Sequence, residues 1–381
     1  MKKNSLAILL AAALLPIAGF VFAETQLPAN TKAPIKEPVL EVAEKGKPTA
    51  GDYIDLHMHT YCSDGWSVPE QLVKLAAGDA KFYGSGEKGP RIKYFAVTDH
   101  DTMDCVARAQ TFAKKNYPEI TVIAGIEITA NDNTHILGLN VNTGAAGVQD
   151  IATNSRRDRV ARMQEYIKKL NKMGAAITVR DVVMPKLIGE NLANGKSTET
   201  ISGMTDKEML EAVSGMMMRP DIAKALIAKG YAANNRDAFD KWITPAKVPG
   251  ESLPFKKVID AIHAAGGKAI LAHPYTIYKY GEFPQEYGDE SYNDFESIVA
   301  AMLEAGLDGF EAYKNGWQKY PADYNKLKAI ADKWKAKTGK EVFFTVGSDY
   351  HGVTGIGPKS MMSEKIPVGA QQAIISALNL N

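Results

Sequence analysis

Six of the seven histidines in this 381-residue chain stand at or just past the ends of predicted strands: His57, His59, His100, His135, His273 and His351. Random placement would not gather them there. The pattern constrains the fold, because parallel strands in a barrel share one face at their ends, and side chains from distant stretches converge on it. Residues 53–57 alternate as a strand. His57 and His59 are two apart and point to one side of an extended chain, and Asp64 follows on a Ser-Asp-Gly turn. Further strands are expected over 94–98, 121–129, 134–141, 268–272, 309–313 and 341–346. Helices are expected over 68–77, 102–115, 156–173, 206–218, 221–229, 238–243, 255–265 and 294–305, with loops over 78–91 and 185–205. Strand–helix alternation at both ends of the chain argues an α/β fold with a parallel sheet. The middle block lacks strong strands and reads as a helical subdomain.

Nine ligand-type residues then share one pocket: His57, His59, Asp64, His100, Glu127, His135, His273, Asp349 and His351. Each alone has a bland reading. A His-X-His pair can be a surface strand pair, residues 98–101 a capped helix start, His273 a strand end before Pro274, and 348–351 a turn. Glu127 resists this treatment, since an unpaired carboxylate in an apolar strand is costly to bury. Taken together, nine such groups at strand ends would be a set of unpaired buried charges, and bound metal removes that cost. Nine donors exceed the four of tetrahedral zinc or the six of an octahedral ion. Two or three divalent ions sharing carboxylates is the natural count. The set contains no cysteine, which argues against a structural zinc knot. Mixed histidine and carboxylate donors suit Zn, Mn or Fe acting as Lewis acids, which lower the pKa of bound water to about 7 and clamp the oxygens of a displacement at phosphorus.

The formal net charge of +1 favours neither bulk nucleic acid nor an anionic membrane as a partner. No stable nucleic-acid complex is therefore expected, and anion recognition must be local. Residues 1–23 read as a signal peptide. Lys2 and Lys3 precede an apolar run over 5–22, interrupted by Pro16 and Gly19, and cleavage after Ala23 leaves Glu24 first. An uncleaved membrane anchor is the alternative. The expectation is export to a periplasm or beyond, with no membrane contact outside the signal segment. Residues 24–50, rich in Pro, Lys, Glu and Thr, read as a flexible linker. Export permits a disulfide between the only two cysteines, Cys62 and Cys105. Spacing alone favours two separate buried thiols.

The motifs Asp55-Leu56-His57-Met58-His59-Thr60, Ser63-Asp64-Gly65, Thr98-Asp99-His100-Asp101-Thr102, Gly125-Ile126-Glu127, His135-Ile136-Leu137-Gly138, Ala272-His273-Pro274 and Ser348-Asp349-Tyr350-His351 resemble those of the PHP (polymerase and histidinol phosphatase) metallophosphoesterases. The resemblance implies a distorted (β/α)7 TIM-like barrel, with barrel parts over 51–145 and 266–381 and a mainly helical insert over 146–265. It also implies three ion positions. His57, His59, Glu127 and Asp349 would hold one ion. Glu127, His135 and His273 would hold a second, and Asp64, His100 and His351 a third. A bridging hydroxide held by the metals at Glu127, Asp349, His57 and His59 would attack phosphorus.

The insert resembles the branch containing nucleoside 3′,5′-bisphosphate phosphatases and 5′-to-3′ oligonucleotide exonucleases. That resemblance implies arginines gripping substrate phosphate, and Arg156, Arg159 and Arg219 are the candidates. Arg156 and Arg159, three apart, share a helix face, and guanidinium forks suit phosphate. The expected substrate is a small nucleotide or a short oligonucleotide end. One departure favours a different substrate: the branch usually carries His after Arg-Pro, and here the residue is Asp221. A carboxylate at the pocket would repel a bisphosphate and favour a sugar or amino-alcohol phosphate. The non-enzymatic alternative is an exported metal-binding protein that has lost turnover.

Overall fold

Short apolar runs build the central sheet. β1 (Tyr53–Asp55), β2 (Ile92–Val97), β3 (Thr121–Asn131), β4 (Thr134–Leu139) and β5 (Lys268–Leu271) are followed by the hairpin strands β6 (Gln285–Tyr287) and β7 (Glu290–Tyr292), then β8 (Gly309–Tyr313) and β9 (Phe343–Val346). A computed structural model describes residues 53–380 apart from 83–84, 132–133, 251–252, 281–284, 288–289, 293, 320 and 353–359. The expected leader over 1–23 and linker over 24–50 lie outside the described residues. Among the described residues no helix is long and apolar enough to cross a membrane.

Seven strands form one sheet in the order β1-β2-β3-β4-β5-β8-β9, and β6 and β7 pair separately. In β2 every residue but Lys93 is buried, as expected of a strand covered on both faces. The first and last strands meet. Leu56 N donates to Val346 O at 2.9 Å, His59 N donates to Tyr350 O at 2.9 Å, and Met58 bridges Tyr350 in parallel. These contacts wrap the α/β sheet round on itself as the barrel architecture requires.

The sheet is mixed, not all parallel. β4 runs antiparallel to both β3 and β5, because the turn between β3 and β4 is far too short for the crossover a parallel neighbour needs. The reversal has a consequence for the site. His135 lies near the start of β4, so it stands at the same end of the sheet as the C-terminal ends of the other strands.

Helices α1 (Pro69–Ala76) and α2 (Val106–Asn116) cover one side. α1 starts on Pro69, which needs no N–H partner in the first turn, and buries Leu72, Val73, Leu75 and Ala76. The 27-residue α3 (Ala146–Lys172) begins ten residues before the predicted 156. Val148 and Ile151 near its start belong to the barrel core, and Met163, Tyr166, Ile167 and Leu170 to a second core. That second core, from Met163 to Val248, also draws on α4 (Val179–Ala193), α5 (Asp206–Ala212) and α6 (Arg219–Ala228).

The expected loop over 185–205 is corrected in its first half, which belongs to α4. Thr178 and Asp181 form a capping box at its start, and Val182, Val183, Leu187 and Ile188 are buried. Each such burial contributes about 1.5–3 kcal/mol, enough to carry Pro185 inside the helix. Past the insert, α7 (Phe255–Ala264) buries Phe255, Val258, Ile259 and Ile262 and returns to the barrel core. α8 (Tyr275–Tyr280), α9 (Phe295–Glu304), α10 (Pro321–Thr338) and α11 (Val368–Ala377) complete the chain.

Candidate metal centre

Two buried aspartates shape the first motif. Asp55, at the end of β1, accepts from Ser348 N and Met362 N, each at 2.9 Å, and ties β1 to the segment after β9. Burial pushes its carboxyl up to about 6 against the opposing pull of these donors. Asp99 accepts from Thr60 N at 2.7 Å, Thr60 Oγ1 at 2.5 Å and Ser63 Oγ at 2.6 Å. It folds residues 60–64 back so that Asp64 faces the histidines. The turn needs glycine next: a Cβ on Gly65 would sit 2.5 Å from the His59 carbonyl.

Glu127 occupies the centre, fully buried. Its Oε1 lies 2.9 Å from His135 Nδ1, 3.0 Å from His273 Nε2 and 3.3 Å from His57 Nε2. Its Oε2 lies 3.0 Å from His100 Nδ1 and 3.3 Å from His59 Nε2. Asp349 Oδ1 stands 3.1 Å from His59 Nε2, 3.3 Å from His57 Nε2 and 3.5 Å from His351 Nδ1. Asp64 reaches His351 Nε2 at 3.3 Å and His100 Nε2 at 3.8 Å. All nine predicted ligand-type residues therefore meet in one cluster. Three backbone positions in or beside it have positive φ: Asp101 at 52°, His273 at 29° and Asp349 at 54°. For His273 the strain adds to the restriction imposed by Pro274.

The electrostatics follow from crowding. Burial opposes ionisation of Glu127, but His100, His57 and His135 overcome it and hold the carboxyl well below its usual range. Asp64 is held well down against burial by His351 and His100. Burial opposes charge on His57, and Glu127, Glu311 and Asp349 outweigh it and raise the imidazole well above its usual range. His59 is pushed up to about 10 against burial by Asp349 and Glu127. His135 goes the other way, down to about 4, because burial and the neighbouring His100 and His273 outweigh Glu127.

The donor set fits divalent metal. Buried His57 Nε2, His100 Nδ1, Glu127 Oε2 and Asp64 Oδ1 make no hydrogen bond within the protein, although each has a histidine or carboxylate neighbour within 3.3 Å. Two four-residue groups bring one donor atom each within 4.8 Å of the others: His57, His59, Glu127 and Asp349, and His59, Asp64, His100 and His351. His100, Glu127 and His135 form a third. In the grouping implied by the sequence, His59 and His100 each belonged to one ion. Here His59 stands between the first two groups, and His100 joins Glu127 and His135 as well as Asp64.

A cavity of about 260 Å³ opens over this cluster. Asp64, His100, His135, His273, Asp349 and His351 form its floor, and Arg159, Arg162 and Arg219 face them from the helical subdomain. Arg159 Nε donates to Asp101 Oδ2 at 2.9 Å, and Asp101 accepts from Thr129 N at 2.9 Å. Arg219 stacks on Phe239 with 5.9 Å between its guanidinium carbon and the ring centroid.

Arg156 is corrected. It does not line the cavity, but pairs with Asp104 at 2.7 Å and donates to Ser214 O. The helix turns it away from Arg159 toward the start of α2. Arg162, three residues beyond Arg159 on the same face, stands in the wall instead. Asp221 is also corrected as a cavity carboxylate. It is buried, accepts from Met218 N at 2.9 Å, and pairs with Lys224 at 3.2 Å.

Sequence reasoning missed Glu311. Its Oε2 lies 2.5 Å from His57 Nδ1, which turns Nε2 toward the cluster. A single carboxylate in the apolar run Gly309–Tyr313 was the available signal, the same one that singled out Glu127. The separate-thiol reading is overturned as well: Cys62 and Cys105 form a disulfide with Cα atoms 6.1 Å apart. The fold of residues 60–64 around Asp99 brings Cys62 over the start of α2, which linear spacing could not supply.

No protein-family model matches the chain. It is 28% identical over 303 residues to a 5′-3′ exoribonuclease, Rnm, of Salmonella typhimurium, covering 78% of this chain and 84% of that protein. It is 27% identical over 309 residues to a 3′,5′-nucleoside bisphosphate phosphatase of Chromobacterium violaceum, covering 78% and 87%. A crystal structure from Bifidobacterium adolescentis, described as a metal-dependent phosphoesterase, shares the fold with a TM-score of 0.63 at 24% identity, over 87% of this chain and 98% of that one. These relatives and the shared fold support the PHP (polymerase and histidinol phosphatase) family of metallophosphoesterases, with the branch that the first two relatives represent.

Proposed function

We propose that the chain is a metal-dependent phosphoric ester hydrolase acting on phosphomonoesters of nucleotides, such as 3′,5′-bisphosphates, or on the ends of short oligonucleotides. One observation carries the reading: six of the nine clustered histidine and carboxylate donors floor a cavity of about 260 Å³ whose wall also holds three arginines. Two or three divalent ions would be held by these donors, with Glu127 shared. When bound they supply Lewis acidity, activating water and neutralising phosphoryl charge. The thiolate-free donor set supports Zn, Mn or Fe.

The chain's own residues do the rest. Arg159, Arg162 and Arg219 bind and orient phosphate oxygens through planar forks. Asp101 holds Arg159 in place. Neutral His135, with its value lowered to about 4, keeps a lone pair available at neutral pH. The amino-alcohol phosphate alternative rests on Asp221, and that carboxylate is buried, paired and not part of the cavity lining.

Export is part of the reading: the Cys62–Cys105 disulfide supports work in an oxidising compartment. The test is hydrolysis by Mn- or Zn-loaded protein of a panel holding 3′,5′-bisphosphates, 5′-phosphorylated oligonucleotides and histidinol phosphate. Release of phosphate or nucleotide from the first two classes is expected. Turnover of the third alone, or of none, overturns the proposal. Mass spectrometry of the exported protein is expected to start at Glu24.

A further inference from the structure

Three buried charged residues in the helical subdomain belong to no part of the site described so far: Lys186 and Glu190 on α4 and Asp221 on α6. Lys186 Nζ donates to the Ser63 carbonyl at 2.8 Å and stands 3.6 Å from Asp221 Oδ2. Glu190, one turn later, accepts from Ser214 N and Gly215 N, each at 2.8 Å. Met216 N in turn donates to the Cys62 carbonyl at 2.9 Å.

The packing leaves no slack. A Cβ on Gly215 would lie 2.7 Å from Glu190 Oε1, 3.0 Å from Lys186 Cε and 3.2 Å from Cys62 O. Both segments gripped here lead directly into the site. Ser63 precedes Asp64 on the floor. The chain after Met216 supplies Met217, Met218 and Arg219 to the cavity wall.

A hydrophobic side chain of similar volume would fill this space without burying a charge. The ammonium has a geometric use, since it donates to the backbone beside Asp64. We propose that Lys186, held by Asp221, is a positioning residue that sets the span between Asp64 on the metal side and Arg219 on the substrate side. This rests on the site reading above.

The experiment compares wild type, Lys186→Met and Asp221→Asn as full-length metal-loaded proteins. Asp221→Asn keeps shape and a helix-capping oxygen, so it serves if Lys186→Met does not fold. Each variant is expected to raise KM for a 3′,5′-bisphosphate about tenfold with a smaller change in kcat, since displacement of a binding group by ~1 Å costs up to about 100-fold. Backbone hydrogen exchange is expected to quicken about tenfold in residues 60–66 and 213–220 and to stay unchanged in β3. Exchange that rises evenly through both cores, or a lower Tm with KM and local exchange unchanged, overturns the proposal. A wild-type protein inactive on every substrate overturns the functional reading instead, and the exchange measurement then still decides the role of Lys186.

Discussion

Glu127 is the residue on which the site balances. A lone buried carboxylate would cost several kcal/mol, and here five imidazoles stand within 3.3 Å of it. The sequence made this residue visible because a charge in an apolar strand needs a partner. Glu311 carries the same mark in β8, but its partner His57 is 254 positions away and only the barrel joins them. Its carboxylate fixes which nitrogen of His57 faces the cluster, so Glu311→Gln is expected to weaken metal affinity about 10–100-fold, as measured by competition with a chelator of known affinity. The arginines separate in the same way. Arg159→Met is expected to lower kcat/KM about 10–100-fold, the loss of a charge-assisted hydrogen bond. Arg156→Met is expected to change it by less than about threefold, because Arg156 is engaged with Asp104 and Ser214 outside the cavity. Steady-state kinetics on the two variants side by side check the assignment.

At the scale of elements, periodicity located most strands and helices and missed those whose stability comes from packing. α4 has a proline, a glycine and two asparagines in or beside it, and local propensity argues for a loop. Its buried face in the second core decides otherwise. The β3–β4 hairpin shows the converse. The turn signal at 131–133 was clear in the sequence, and the antiparallel return it imposes delivers His135 to the metal end of the barrel. The disulfide joins the Asp64 turn to the start of α2 across a separation of 43 residues. Replacing both cysteines with serine is expected to cost about 2–4 kcal/mol, read as a lower midpoint in denaturant titrations. Adding reductant to the wild type is expected to give the same shift, and to leave the double variant unmoved.

At the scale of the whole molecule, the cluster couples metal, protons and stability. His59 in the metal-free protein holds its proton to about pH 10, above the ordinary 6.5. A raised value of this kind contributes stability that is fully present below 6.5 and is lost as pH climbs through about 10. Asp64 and Glu127 are held below their usual range. Their contribution is present above the ordinary carboxylate values and is lost on acidification below about pH 4. Chelator-treated protein is therefore expected to lose Tm between about pH 7 and 10. Metal-loaded protein is expected to hold it, because metal replaces the protons. Calorimetry in buffers of different ionisation enthalpy is expected to show protons released on metal uptake. The sequence alone determined the donor chemistry, since residue types and their places at strand ends are local facts. It also carried the α/β alternation and the helical insert, because hydrophobic period is written within each element. Tertiary structure alone decided which arginines face the floor, that Asp221 turns inward, that Glu311 meets His57 and that the cysteines pair. Each of these depends on the angle or closure of elements distant in sequence, which no local pattern encodes.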